Sequence, residues 1–373
     1  MTPLRVAHVV CTDAFAGVER SIVLSSRALA ARDHEVHVIG GSPAAMPAML
    51  EGAVASWQPA RSVLSGVRAL RALGALDVVH AHMTAAELAV VLSARWRCSH
   101  FVTTRHFAAA RGTSARGRVM RPVMSAVPHT ELAISPFVAE HLEGPSLLVP
   151  HGLEPMPRAD RRSKTVVIVQ RLEAEKDTAT AIRAWAQSSL SGRGWQLDIA
   201  GDGAERASLE RLAATCGVAD SVRFLGHVAD TMGLRAHAAI QLASPPHEPF
   251  GLSVLEAMAC GLPVVAARGG AHPYLLGGDV SSLFGASDAG EAAALLDALA
   301  TDEAARTALG DRLRARARQQ FSLERHAALL EAAYERVSAP AGAGVVSSPE
   351  GTFAAPSARP TTSHGNVPVP ARQ

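Results

Sequence analysis

Lysine is nearly missing from this chain: Lys164 and Lys176 are the only two, and the rest of its 36 basic side chains are arginine. A lysine at a functional position therefore stands out from its background. Excess charge is missing too, since the 36 basic residues face 34 acidic ones for a formal net charge of +2. That balance argues against nucleic acid as the main partner. The four cysteines (Cys11, Cys98, Cys216, Cys260) are far apart and show no metal-ligand spacing, which reads as reduced thiols in a cytosolic protein. No apolar run approaches the roughly 20 residues of a membrane-spanning helix. Met1-Thr2-Pro3-Leu4-Arg5 leads straight into a strand-like run, so no signal peptide is expected. The expected location is cytoplasmic, with peripheral contact at the inner membrane face left open. Motifs are missing as well. No D-x-D pair, H-E-x-x-H or G-x-x-x-x-G-K-[ST] occurs, so neither a metal-held diphosphate nor a P-loop is expected.

What is present is a globular composition, 48% hydrophobic and 19% charged over 373 residues, long enough for two domains. Short apolar runs at 6–11, 35–39, 77–80, 100–104, 132–135 and 147–150 read as strands. Helical candidates at 17–32, 84–97 and 138–142 lie between them. The pattern stalls at a polar stretch, 153–163, holding Pro155 and Pro157, and then restarts. Strands are expected at 165–170, 196–200, 222–225, 239–243 and 263–267, with helices at 178–188, 204–216, 252–260 and 291–300. Ser322 reads as the N-cap of a last helix. Strands alternating with helices imply an α/β fold of two doubly wound parallel sheets, with ligands in the cleft between them. The expected division is 1–152, a linker at 153–163, a second domain at 164–321, a helix at 322–337 and a disordered tail at 338–373. That tail, rich in Ala, Gly, Pro, Ser and Thr, has too little apolar surface to offset its ordering entropy.

The most informative segment is Ser244-Pro-Pro-His-Glu248-Pro-Phe-Gly251-Leu-Ser-Val-Leu-Glu256-Ala-Met-Ala-Cys-Gly261-Leu-Pro263. A strand ends, a loop follows with Glu248 at its tip, and Gly251 opens a short helix. Backbone amides bared at a helix start form a seat for phosphate. Glu256, a turn inside the helix, can accept hydrogen bonds from vicinal hydroxyls such as those of a ribose. Glu248 is free to reach a sugar ring.

The whole string closely resembles the E-x7-E motif of the family 4 glycosyltransferases of GT-B fold, and the resemblance spans roughly residues 5–337. It implies two Rossmann-like domains facing a cleft and transfer of a sugar from a nucleotide-sugar to an acceptor hydroxyl, with retention at the anomeric carbon and without a metal. In Gln170-Arg171-Leu172-Glu173-Ala174-Glu175-Lys176-Asp177 it assigns Arg171 and Lys176 to the donor diphosphate and the chemistry. A planar guanidinium and a compact ammonium at a strand-to-helix turn can clamp two phosphates. It places Gly201, in Ala200-Gly201-Asp202-Gly203, under the donor, and implies donor contacts from Glu248, Phe250, Gly251, Leu252 and Glu256. Gly17, in Phe15-Ala16-Gly17-Val18-Glu19-Arg20, matches a loop that usually carries two glycines and remains the candidate for close backbone approach. His106 is expected to position the donor sugar and support the transition state, with a strand-capping histidine as the alternative.

His80 and His82 share one face of a strand and read as scaffold or acceptor wall. His151-Gly152 replaces the usual Asn-Gly hinge turn, a harmless change if the turn is left-handed. Pro273 stands where an acidic residue is common. Arg111, Arg116, Arg118 and Arg121 fit either an anionic membrane surface or a solvated helix face. The donor is expected to be a UDP-sugar, with GDP-mannose possible, and no further cofactor is expected. The acceptor is expected to be a lipid, a glycan or a small molecule. An epimerase, a phosphorylase or a non-catalytic sugar-nucleotide binder are the rival readings. Oligomeric state is not legible.

Overall fold

The computed structural model describes residues 2–109, 111, 115–159 and 163–338. The expected tail lies outside them, except for Ser338, which ends the last helix. In the first half the strands are β1 (Arg5–Val9), β2 (Glu35–Ile39), β3 (Ser56–Gln58), β4 (Val78–His82), β5 (His100–Arg105), β6 (Thr130–Ala133) and β7 (Ser146–Leu148). They form a seven-stranded sheet in the order β3-β2-β1-β4-β5-β6-β7, and every pairing is parallel. The second half supplies β8 (Thr165–Val169), β9 (Gln196–Ala200), β10 (Val222–Gly226), β11 (Ile240–Ala243), β12 (Val264–Arg268) and β13 (Leu283–Gly285). Their order is β10-β9-β8-β11-β12-β13, again parallel throughout. Strands buried on both faces explain why β4 and β11 show no exposed residue at all.

Two edge strands of three residues each, β3 and β13, are absent from the expected strands, whereas the equally short edge strand β7 falls on the expected run at 147–150. The helix Glu303–Gln320 was missed for a different reason: its sequence is charged nearly all round, and only Leu309, Leu313 and a few small or paired neighbours are buried. The expected helix 84–97 stops at Ser93, where Ala94 turns left-handed (φ 61°).

In each sheet the strand order reverses once, between β1 and β4 and between β8 and β11. Loops leaving a sheet at such a switch point part to opposite faces and leave a crevice. The chain passes between the sheets twice, side by side: the Leu153 amide donates to Phe321 O (2.9 Å) and the Leu323 amide to Leu153 O (3.0 Å). Gly152 makes this crossing possible, because a Cβ there would come within 2.6 Å of Ser322 O. The left-handed turn expected at His151-Gly152 does not occur, since neither residue has a positive φ; close approach, not turn geometry, requires the glycine.

The last helix, Leu323–Ser338, then returns to the first sheet. Leu330, Ala333 and Tyr334 join the core of Val6, Ile22, Leu29, Val36 and Val102. Glu331 accepts from Arg32 (Nε, 2.7 Å) and contacts His34 (2.9 Å), and these partners hold its carboxyl below the usual range.

Candidate functional site

The loops at the β8/β11 switch point meet in one ion pair. Lys176 Nζ donates to Glu248 Oε2 at 2.7 Å, each side chain 17% exposed. The Lys176 backbone is fixed from below: its carbonyl accepts from Gln170 Nε2 (3.1 Å) and Ser244 Oγ (2.9 Å). Asp177, left-handed at φ 46°, then caps the helix Thr178–Gln187. Glu248 is fixed by glycines. A Cβ on Gly270 would lie 2.3 Å from Glu248 O, and one on Gly269 would lie 1.9 Å from Pro246 O. Only bare backbone lets the loop after β12 press against the Glu248 loop. Gly201 plays the same part on the other side. Its Cβ would meet Gln170 O at 1.8 Å and its φ is +146°, so it seats the loop that carries Arg171. Arg171 itself is 66% exposed and paired with Glu175 (2.7 Å).

Gly251, at φ 96°, starts the helix Leu252–Cys260 with no side-chain cap, so its first amides face the crevice unclaimed. Across the crevice lies the start of the helix Gly17–Ala30: a Cβ at Gly17 would touch Leu252 Cδ1 at 3.5 Å. The two helix starts thus meet at Leu252, and Gly251 lies against Glu248, whose Cγ would be 3.4 Å from a Cβ there. Glu256 is more committed than its sequence position suggests. One oxygen takes Arg235 (2.8 Å) and the other takes Arg20 from the facing domain (2.5 Å). Arg235 is fully buried and also contacts Gln241 Oε1 and Ser253 Oγ, both at 3.0 Å. Burial lowers its pKa while the Glu256 carboxylate counteracts the shift. Sequence reasoning missed Arg20 and Arg235; the glutamate a turn inside an apolar helix was the one hint of a buried partner. Phe250 is 3% exposed and packs edge-on to His151 and Phe321, so its ring joins the domains.

On the opposite wall the first sheet offers histidine. His106 follows β5, is 7% exposed and stacks on His151 (5.5 Å, 15°). His82 Nδ1 lies 3.0 Å from His106 Nε2, and His8 Nδ1 lies 3.0 Å from His82 Nε2. Burial pushes His8 and His106 down to about 3 and holds His82 well below its ordinary value. His80 sits between Tyr334 Oη and Thr104 Oγ1, both at 2.7 Å. His80 and His82 are therefore interior residues, not walls. His151 bonds Ser21 (2.8 Å), so the unusual hinge residue belongs to the same buried layer.

The arginine stretch divides. Arg111 is neither solvated nor free for a membrane, because Glu87 (2.9 Å) and Glu131 hold it in a half-buried cluster. Arg121 pairs with Glu143 at the surface, Arg118 is exposed, and the side chain of Arg116 lies outside the described residues. Among the described residues no helix is long and apolar enough to cross a membrane. A pocket lined by Leu153, Met156, Leu255, Ala259 and Phe321, with Glu154, Arg318 and Glu324 also in its walls, opens at the hinge, and neither Lys176 nor Glu248 lines it.

The architecture of two parallel sheets is shared with solved structures. A glycosyltransferase from Rickettsia africae superposes with a TM-score of 0.76 at 15% identity, covering 90% of this chain and 99% of the other. An Anabaena protein, HepE, solved with UDP and glucose, gives 0.72 at 18% identity, covering 89% of this chain and 99% of its own. In sequence, a GDP-mannose-dependent alpha-(1-6)-phosphatidylinositol dimannoside mannosyltransferase of Mycobacterium tuberculosis is 39% identical over 112 residues, 29% of this chain and 28% of the relative. The lipopolysaccharide core biosynthesis glycosyltransferase LpsE of Rhizobium meliloti is 35% identical over 132 residues, 35% of this chain and 39% of the relative. These alignments span well under half of either relative's length. Two family models match consecutive parts of the chain: Glycosyltransferase Family 4 over 15–152 and Glycosyl transferases group 1 over 155–319. The chain belongs to the family 4 glycosyltransferases of GT-B fold.

Proposed function

We propose that this protein moves a hexosyl unit from a nucleotide-sugar to an acceptor hydroxyl, with retention of anomeric configuration. The observation that carries the reading is the Lys176–Glu248 pair packed against the uncapped start of the Leu252–Cys260 helix, which in turn meets the Gly17 turn. A diphosphate would sit among the amides after Gly251, the Gly17 turn and Lys176, with Arg171 swinging in from solvent. Glu248 would then release Lys176 to the phosphate and take up sugar hydroxyls. As the bond from anomeric carbon to phosphate oxygen breaks, charge grows on the leaving diphosphate and on the ring. Pre-placed charge supports both. No D-x-D pair exists to bring in a metal, so the cation work falls to Lys176 and Arg171. Glu256 would exchange its Arg20 partner for ribose hydroxyls.

UDP-sugars are favoured as donors, with GDP-mannose the alternative. A solved neighbour holds UDP-glucose, and a sequence relative is named for GDP-mannose. A lipid or polysaccharide precursor is the favoured acceptor. A small molecule is second, supported by the resemblance to a glucosaminyl malate synthase, 32% identical over 140 residues. The test is thermal stability against UDP-, GDP- and dTDP-sugars in EDTA. A shift with one nucleotide class that is lost in Lys176→Ala is expected; no shift with any of them overturns the reading.

A further inference from the structure

His8, His82 and His106 form a single file of imidazoles running from the interior of the first sheet to the crevice. The file begins at His8 Nε2, which is buried and has no hydrogen-bond partner. It continues through two contacts of 3.0 Å, His8 Nδ1 to His82 Nε2 and His82 Nδ1 to His106 Nε2. It ends at His106 Nδ1, which has no partner among the described residues and, unlike His8 Nε2, is not among the sealed orphan atoms. The sheet explains the alignment. His8 sits opposite His80 in the β1–β4 register, and His82, two residues on, shares that face.

The same face brings ring nitrogens of His8, His80 and His82 within 4.8 Å of one another, the spacing of a cation site. The ring planes argue otherwise. His80 and His82 stack at 4.4 Å and 25°, so their in-plane lone pairs run side by side instead of converging. Both nitrogens of His80 are also engaged by hydroxyls. Proton placement, not metal, is what this file controls.

Three neutral imidazoles carry three protons, and the two contacts consume two of them. A consistent file has only two states. In one, His106 donates inward and the third proton sits on His8 Nε2 as a buried N–H with no acceptor. In the other, His8 donates to His82, His82 donates to His106, and the third proton appears on His106 Nδ1 in the crevice. A buried orphan N–H is the rarer defect in folded proteins, so the second state prevails. We propose that His8 and His82 are positioning residues that hold His106 as an Nδ1–H donor facing the donor sugar. The imidazole would then offer a hydrogen bond to an electron-rich oxygen in the crevice without carrying charge. This rests on the glycosyl-transfer reading for its purpose, but not for its test.

The test is two-bond proton–nitrogen correlation NMR on protein labelled with nitrogen-15 in histidine, recorded without donor. His106 is expected as the Nδ1–H tautomer in the wild type and in His82→Asn, whose side-chain amide can donate at the place of the lost Nδ1. In His82→Asp, whose carboxylate can only accept at that place, it is expected to switch to Nε2–H. Turnover should follow the tautomer: close to wild type in His82→Asn and lower by roughly ten- to a hundred-fold in His82→Asp. An Nε2–H tautomer in the wild type, or an Nδ1–H tautomer that persists in His82→Asp, overturns the proposal. Because the spectrum needs no ligand, its failure is separate from a failure of donor binding.

Discussion

The two domains share a fold but bury different polar groups. The second sheet packs an apolar core, from Val166 and Trp185 to Phe284 and Leu296, interrupted by buried Asp198, Gln241, Arg235 and Glu256, and its Lys176–Glu248 pair stands on loops at the strand ends. Beneath one face of the first sheet lies a polar layer of His8, His80, His82, His106 and His151, joined by His326 from the last helix, all buried. In the second domain His272 alone among the described histidines is buried. An apolar sheet gives a rigid floor on which a Lys–Glu pair can be set by backbone contacts. The histidine sheet instead carries its function through the interior, each ring fixing the next. The contrast teaches that equal topology does not mean equal ways of holding a site.

The largest effect expected in the second domain comes from its most deeply buried charge, Arg235. Glu256→Ala would leave fully buried Arg235 without its carboxylate, a loss of about 3–5 kcal/mol. Chemical denaturation of the variant checks it. A loss under about 1 kcal/mol would mean that Gln241 and Ser253 suffice for Arg235, and that this domain tolerates buried charge as the first does. Next comes Lys176→Ala, expected to cut turnover by about 10²–10³-fold, the usual price of one transition-state donor, with the fold intact by circular dichroism. Unchanged turnover would remove Lys176 from the chemistry.

A pH titration sharpens the comparison further. His8 and His106 are held down to about 3 and His326 to about 4 by burial. Their folded values lie below the unfolded value of about 6.5, so the unfolded chain takes up protons first. Stability from these groups is full above about pH 6.5 and is lost as pH falls toward 4, by at most about 1.4 kcal/mol per pH unit for each group. Peptide-resolved hydrogen exchange between pH 7 and 4.5 should therefore show the first domain loosening ahead of the second. Parallel loosening would assign the acid response to carboxylates shared by both.

How far the sequence reached differs between the domains for the same reason. Strand-end loops announce themselves, since glycine, proline and charge cluster at 244–263 and 170–177, and the structure brings Lys176 and Glu248 from those two segments into contact. The histidine file was only half legible. The alternation at His80 and His82 gave a common face, but His8 lies 74 residues from His82 in the chain, and nothing local pairs them. Arg235 and Arg20 were invisible for a similar reason, as each meets Glu256 only through tertiary packing. The last helix was placed by its Ser322 cap, yet its docking on the first domain includes Tyr334 reaching His80, a contact 254 residues apart.

The smallest expected effect tests where the domains touch. Arg20 pairs with Glu256 across the crevice, but its side chain is 38% exposed, so solvent screens it. Arg20→Ala should change stability by no more than about 1 kcal/mol. Its effect on the donor should be of opposite sign to that of every other variant here. The pair occupies the Glu256 oxygen that a ribose would need, so its removal spares the ligand the work of breaking it, and nucleotide affinity by calorimetry should rise slightly. A fall in affinity would show instead that Arg20 turns onto the diphosphate once released. The first domain would then contribute a cation as well as helix amides, and the division of charge to one domain and histidine to the other would no longer hold.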